Sequence, residues 1–237
     1  MRLLLSVVDV SEARTAAGAG ADIIDVKDPA AGALGRPAPG VVRAIRAAIP
    51  LALPVSVAVG DGPWVPREAA AAARDGADEG ALFVKVGLRE TPAAAALDTL
   101  RAVRAALPDG TRLIAAGFAD AARAGSPPPA DLPWLAQAAG AHGCLIDTAV
   151  KDGRGLLDWL PAAALVAFVT ACRQRGLLSA LAGSLTPADL QRVAAIAPDI
   201  VGVRGAACDG DRIHGRISGR LVARLGRALA AGAGACG

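Results

Sequence analysis

The sequence predicts an α/β chain folded as a (βα)8 TIM barrel, and three observations predict it. Short apolar runs alternate with alanine- and arginine-rich helical stretches, which argues for a parallel sheet. There are eight such runs in 237 residues, and a closed barrel typically takes ~250. No GxGxxG follows the first run, as an open dinucleotide-binding sheet would require. No low-complexity linker interrupts the pattern, so one catalytic domain over residues 1–237 is expected.

The strand candidates are, in order, LLLSVVD (3–9), DIIDVKD (22–28), VSVAVGD (55–61), LFVKVGL (82–88), RLIAAGFAD (112–120), CLIDTAVKD (144–152), LLSALAGS (177–184) and DIVGVRGAAC (199–208). Helical patterns separate them. Ser11 is expected to cap the first. Val41, Val42, Ile45 and Ile49 keep helical spacing in the second. Thr91-Pro92 opens another, with Leu97, Leu100, Val103 and Leu107 in register. Thr186-Pro187 reads as an N-cap followed by proline at the first helical position. The last helix is expected over about residues 217–231. SPPPADLP (126–133) reads as a strand-to-helix loop, not a domain boundary.

Composition narrows the function. The chain is 54% hydrophobic, which excludes disorder. The longest apolar stretch, 156–172, is broken by Asp158 and Pro161 and falls short of the ~18 apolar residues a membrane span needs. The N-terminal apolar run is too short for a signal peptide and meets Asp9 and Glu12 at once. A cytoplasmic protein is expected. The net charge is +3, the basic residues are scattered, and three Trp, three Phe and no Tyr leave little for base stacking, so no nucleic-acid partner is expected. Cys144, Cys172, Cys208 and Cys236 form no CxxC, which fits reduced thiols. Two histidines, His142 and His214, supply no multi-histidine metal site, and no metal is expected.

Of 25 basic residues only Lys27, Lys85 and Lys151 are lysines. Where arginine serves wherever charge suffices, the remaining lysines mark positions where an amine is needed, because an arginine cannot be deprotonated to a nucleophile. All three fall near the end of a strand candidate, where the chemistry of a barrel gathers. Side chains alternate along a strand. Asp25 and Lys27 therefore share the inward face, with Ile24 and Val26 outward. Lys85 points inward between Val84 and Val86. Asp147, Ala149 and Lys151 share parity on the sixth strand. Three amines and two carboxylates converge on one mouth. Each lysine alone could be a solvated strand-end charge, but all three together point to a site.

With few histidines and no tyrosine, acid–base work falls to Lys, Asp or Cys. A lysine among cations and low-dielectric walls loses basicity and can attack a carbonyl to form a Schiff base. Asp25 and Asp147 pull the other way, and the sequence leaves open which effect wins at each amine. The loops after strands seven and eight carry Gly183 and Ser184, then Gly202, Arg204 and Gly205. They suit a phosphate, although turn geometry alone would also explain them. Ser6 reaches toward the same mouth. The loop 28–39, directly after Lys27, suits a cover over the site or a plain connector. Such a site fits a class I aldolase, a sugar-phosphate isomerase or a non-catalytic phosphosugar-binding barrel.

ADIIDVKDPAAGALG (21–35), VSVAVGD, VKVG (84–87), AAGFADAAR (115–123), DTAVKDG (147–153), LAGS (181–184) and DIVGVRGAAC together resemble the (5-formylfuran-3-yl)methyl phosphate synthase family, also called 4-(hydroxymethyl)-2-furancarboxaldehyde-phosphate synthase. The resemblance runs in order along essentially the whole chain. It implies a TIM-barrel lyase that condenses two glyceraldehyde 3-phosphates into the furan precursor of methanofuran. No net redox occurs in that reaction, so no cofactor is implied. It also implies Lys27 as the Schiff-base lysine and Lys85 as the proton acceptor, with Lys151, Asp25 and Asp147 completing the site. The family occurs in methanogens and methylotrophic bacteria, and the Ala/Arg-rich composition fits a GC-rich bacterium using a one-carbon carrier. The expected partner is a small-molecule triose phosphate. A homo-oligomer is expected from alanine-rich helices at 69–74 and 93–96, which could equally lie on the barrel.

Overall fold

A computed structural model describes residues 1–234, so Cys236 lies outside the described residues. Eight parallel strands close into a barrel in sequence order, with the eighth paired to the first. They are β1 (Arg2–Val7), β2 (Ile23–Val26), β3 (Val55–Ala58), β4 (Phe83–Gly87), β5 (Arg112–Phe118), β6 (Gly143–Asp147), β7 (Leu178–Leu181) and β8 (Ile200–Val203). The helices are α1 (Val10–Gly18), α2 (Val41–Ala48), α3 (Pro66–Asp78), α4 (Ala93–Ala106), α5 (Ala121–Ala124), α6 (Leu132–Ala138), α7 (Leu156–Trp159), α8 (Ala162–Gln174), α9 (Asp189–Ile196) and α10 (Gly219–Gly234). A 3₁₀ turn at Gly205–Ala207 leads into a small hairpin of β9 (Cys208–Asp209) and β10 (Arg216–Ile217).

Strand alternation builds two cores. Leu5, Val7, Ile24, Val26, Val84, Val86, Leu113, Ile146 and Val201 face outward and are sealed by the helices. Leu4, Ile23, Phe83, Ile114, Leu145 and Ile200 face inward and fill the lower barrel. Above them several inward positions are small, among them Ser6, Ser56, Ala58, Ala180, Ala182 and Gly202. A TIM barrel is ordinarily packed solid with bulky residues. Here the small upper layers leave room for a site.

Several caps differ from expectation. Asp9, not Ser11, caps α1, and its carboxylate accepts from Glu12 N. Asp reaches the third amide of the helix from the N-cap position, whereas Ser11 already sits inside the first turn. The helix at Thr186 begins later, at Asp189, because Thr186 N and Oγ1 both donate to the Asp189 carboxylate and hold the chain in a turn. Pro92 occupies the N-cap of α4, and Thr91 Oγ1 donates to Arg89 O instead. The last helix starts at Gly219, after β10 has taken Ile217 into the hairpin. The strands are also shorter than their candidate runs. The sharpest case is the sixth, where the ladder ends at Asp147 and Lys151 is carried by the following loop. The alanine faces lie on the barrel: Ala69, Ala72, Ala73 and Ala96 are buried and α3 packs on α4, while Ala93, Ala94 and Ala95 stay exposed. Among the described residues no helix is long and apolar enough to cross a membrane.

Candidate active site

A cavity of about 310 Å³ opens at the C-terminal ends of the strands and runs down to the apolar floor of Leu4, Ile23 and Phe83. Asp25, Lys27, Lys85, Asp147 and Lys151 all line it. Asp25 is wholly buried, and Lys27, Lys85 and Asp147 are each no more than 7% exposed.

Position explains much of this. Asp25 and Lys85 sit on their strands at inward registers, paired with Ser6 and Ser56, and with Ala58, respectively. Lys27 lies one residue past β2, yet its N–H still donates to Val7 O, which extends the ladder and keeps the side chain inward. Lys151 arrives by another route. Ala149 N and Val150 N both donate to the buried Asp120 carboxylate. That contact turns the chain off the strand, and the amine returns to bond Asp147 Oδ1 at 2.6 Å and Thr148 Oγ1 at 2.9 Å. Alternation therefore places Lys151 correctly for the wrong reason.

The amines are not equivalent. Lys85 Nζ donates to Asp25 Oδ2 at 2.7 Å, and Ser6 Oγ donates to the same oxygen at 2.9 Å. Lys27 stands 4.0 Å from Asp147 Oδ2 and donates instead to the Ala33 carbonyl. Burial pushes the Lys27 ammonium down from its ordinary 10.5 to about 8; attraction to Asp147 opposes this, and repulsion by Lys85 adds to it. Burial alone would raise the Asp147 carboxyl, but the Lys151 and Lys27 charges outweigh it and hold Asp147 well below the carboxylate range. The site thus combines one loosely held amine with a low affinity for its proton, a fixed anion, and two amines bonded to carboxylates.

The loop 28–39 folds over Lys27. Ala33 N and Leu34 N donate to the Asp61 carboxylate, and both residues are buried inside the barrel rim. Burial raises the Asp61 carboxyl despite those two amides. Arg212, from the β9–β10 turn, donates to the Pro29 and Gly32 carbonyls and lines the same cavity.

Gly183, Ser184, Gly202, Arg204 and Gly205 line the cavity as well. Gly183 needs its missing side chain: at φ +112° a Cβ would come within 3.1 Å of Thr148 N. Ser184 holds a left-handed φ of 48°, which is uncommon without glycine. Arg204 is committed elsewhere. Its guanidinium, 5% exposed, bonds Glu12 Oε2 at 2.8 Å, the Ser6 carbonyl and the Arg212 carbonyl. Its charge is neutralised by Glu12, and the arginine without a carboxylate within bonding reach at this rim is Arg212. Sequence reasoning passed over Arg212, Asp61, Glu12, Asp120 and Ser56. A charge in a turn, or a serine inside a valine run, carries no local signal. Among the described residues no group of three His, Cys, Asp or Glu side chains could hold a metal ion.

A family model described as 4-HFC-P synthase matches residues 3–226. A (5-formylfuran-3-yl)methyl phosphate synthase from Methanopyrus kandleri is 44% identical over 234 residues, covering 97% of this chain and 99% of that protein. A protein of the same name from Methanocaldococcus jannaschii is 43% identical over 231 residues, covering 95% and 98%. A 3-hexulose-6-phosphate synthase structure from Salmonella typhimurium aligns over 98% of this chain and 100% of its own, with a TM-score of 0.68 at 20% identity, a likeness of fold.

Proposed function

The chain belongs to the 4-HFC-P synthase family, and from that premise we propose that it condenses two glyceraldehyde 3-phosphates into (5-formylfuran-3-yl)methyl phosphate, for synthesis of methanofuran or a methanofuran-like one-carbon carrier. One phosphate and two waters leave. Carbon, oxygen and phosphorus then balance with no oxidant or reductant.

The observation that carries the reading is the inequality of the amines: Lys85 and Lys151 each bond a carboxylate, whereas Lys27 stands 4.0 Å from its nearest one and has a midpoint lowered to about 8. Near neutral pH a usable fraction of it is a free nucleophile. In the proposed sequence one triose isomerises to the ketone and Lys27 attacks its carbonyl. The carbinolamine loses water to give the imine. Lys85, having passed its bonded proton to Asp25, removes the adjacent proton and gives an enamine. The enamine carbon attacks the aldehyde of the second triose. Phosphate then leaves from one half, the ring closes with loss of two waters, and a further water, replacing the one lost on imine formation, releases the product from Lys27. Lys151, held by the Asp147 carboxylate, passes protons to the carbinolamine and the departing hydroxyl. Gly183, Ser184, Gly202 and Gly205, with Arg212 at the rim, receive the retained phosphate; Arg204 shapes that rim through Glu12.

The test is direct. Purified protein given glyceraldehyde 3-phosphate alone is expected to produce a furan-aldehyde ultraviolet band and inorganic phosphate in step. Borohydride added during turnover should fix substrate mass on Lys27. If the triose binds and neither product forms, the synthase reading falls. An adduct on a different lysine would reassign the imine.

A further inference from the structure

Two buried polar oxygens inside the barrel have no partner: Asp25 Oδ1 and Ser56 Oγ. They belong to neighbouring strands at paired register, Asp25 opposite Ser56, and both residues line the cavity. Ser56 is 1% exposed and Asp25 is wholly buried. Neighbouring strands lie about 4.8 Å apart, so one oxygen atom fits between facing side chains without drawing the strands together. Leaving a carboxylate oxygen and a hydroxyl dry and unpaired is unfavourable, and such groups in native interiors ordinarily find a partner.

We propose that Asp25 Oδ1 and Ser56 Oγ form a subsite for one substrate hydroxyl at the inner end of the cavity. Their chemistry selects the ligand. Asp25 has Lys85 and Ser6 on its other oxygen and, on this side, offers only an acceptor. Ser56 can donate. A hydroxyl satisfies both, accepting from Ser56 and donating to Asp25. A carbonyl has no proton to give Asp25, and a phosphate would meet its negative charge. This rests on the triose-phosphate reading and deepens it. Asp25 precedes Lys27 by two residues on the same face, so a carbonyl carbon at Lys27 leaves the hydroxyl of the next carbon facing inward. The substrate enters carbon end first, with its phosphate at the rim. Ser56 becomes a specificity-determining residue for a hydroxyl beside the reacting carbon.

The experiment uses two unreactive ligands, glycerol 3-phosphate and 2-hydroxypropyl phosphate, which differ only in the terminal hydroxyl, the one beside the carbon that Lys27 would attack. Calorimetry on the full chain gives their dissociation constants. Wild type is expected to bind glycerol 3-phosphate about tenfold more tightly, the worth of one good hydrogen bond. Ser56→Ala should shrink that ratio to roughly twofold and leave 2-hydroxypropyl phosphate unchanged. Ser56→Thr, which keeps the hydroxyl, should restore it. Equal weakening of both ligands in Ser56→Ala, an unchanged ratio, or no preference in wild type would each overturn the subsite. The furan assay separates the two claims: a wild type that makes furan without preferring the hydroxyl loses only the subsite, and one that prefers it without making furan loses only the synthase reading.

Discussion

The cavity holds two lysine–aspartate pairs built from the same parts and buried to a similar depth, and they differ in one respect. Lys85 and Asp25 touch at 2.7 Å. Lys27 and Asp147 stand at 4.0 Å, because Asp147 gives its short bond, 2.6 Å, to Lys151. Burial penalises an ammonium everywhere; a bonded carboxylate offsets that penalty and a distant one does so only in part. The difference teaches that burial alone does not make an amine nucleophilic. The amine needs a neighbour whose carboxylate is already taken.

The largest expected effect tests the amine itself. Lys27→Arg keeps the charge and removes the nucleophile, so furan formation should fall by at least about 10³-fold. Furan absorbance and phosphate release measure it. Appreciable residual turnover would end the imine assignment.

Stability should split the pairs in opposite directions. Lys85→Met leaves Asp25 charged and buried without its cation, and chemical denaturation should show a loss of about 3–5 kcal/mol. Lowering the Lys27 midpoint from 10.5 to about 8 corresponds to about 3 kcal/mol of disfavoured charge. Lys27→Met removes that burden and a hydrogen bond to Ala33 worth about 1 kcal/mol, so it should gain about 2 kcal/mol at pH 7. The sign with pH follows. The folded midpoint lies below the unfolded one, so the unfolded chain binds more protons between about 8 and 10.5, and wild-type stability gains a rising contribution across that window. Lys27→Met should lack that rise. Two losses of equal size would mean that the pairs are alike.

Next comes the pH at which Lys27 becomes reactive. Borohydride trapping should rise through pH 8 in wild type as the amine loses its proton. Asp147→Asn removes the chief attraction holding that proton, so the rise should move to lower pH, while turnover falls about 10²-fold for want of a proton relay. A rise that stays put, or moves upward, would show that Asp147 does not govern Lys27.

The barrel and the inward direction of Asp25, Lys27 and Lys85 were legible because alternation is a local property, visible in IIDVK and LFVK once the strands are placed. Lys151 was found by extending that rule past its range, since the ladder stops where Asp120 captures two amides from 29 and 30 residues away. Arg204 shows the same limit of local pattern. Flanked by glycines it reads as an anion site, but Glu12, which neutralises it, lies 192 residues back on α1. Arg212 and Ser56 gain meaning only from pairings between segments, which set a turn against the β2 loop and a serine of β3 against Asp25 of β2. What long-range hydrogen bonding decides, sequence pattern does not carry.

The smallest prediction asks whether the two pairs are independent. Ser6 Oγ shares Asp25 Oδ2 with Lys85. Ser6→Ala takes one donor from that carboxylate and leaves the ion pair, so stability should fall by about 1 kcal/mol. Asp25 also pulls on the Lys27 proton, but burial, Asp147 and Lys85 all act on it more strongly. The trapping curve of Lys27 should therefore keep its midpoint in Ser6→Ala although the deeper pair has been loosened. A shifted midpoint would join the two pairs into one network through Asp25, and the contrast between a tied amine and a free one would then be a property of all five groups together.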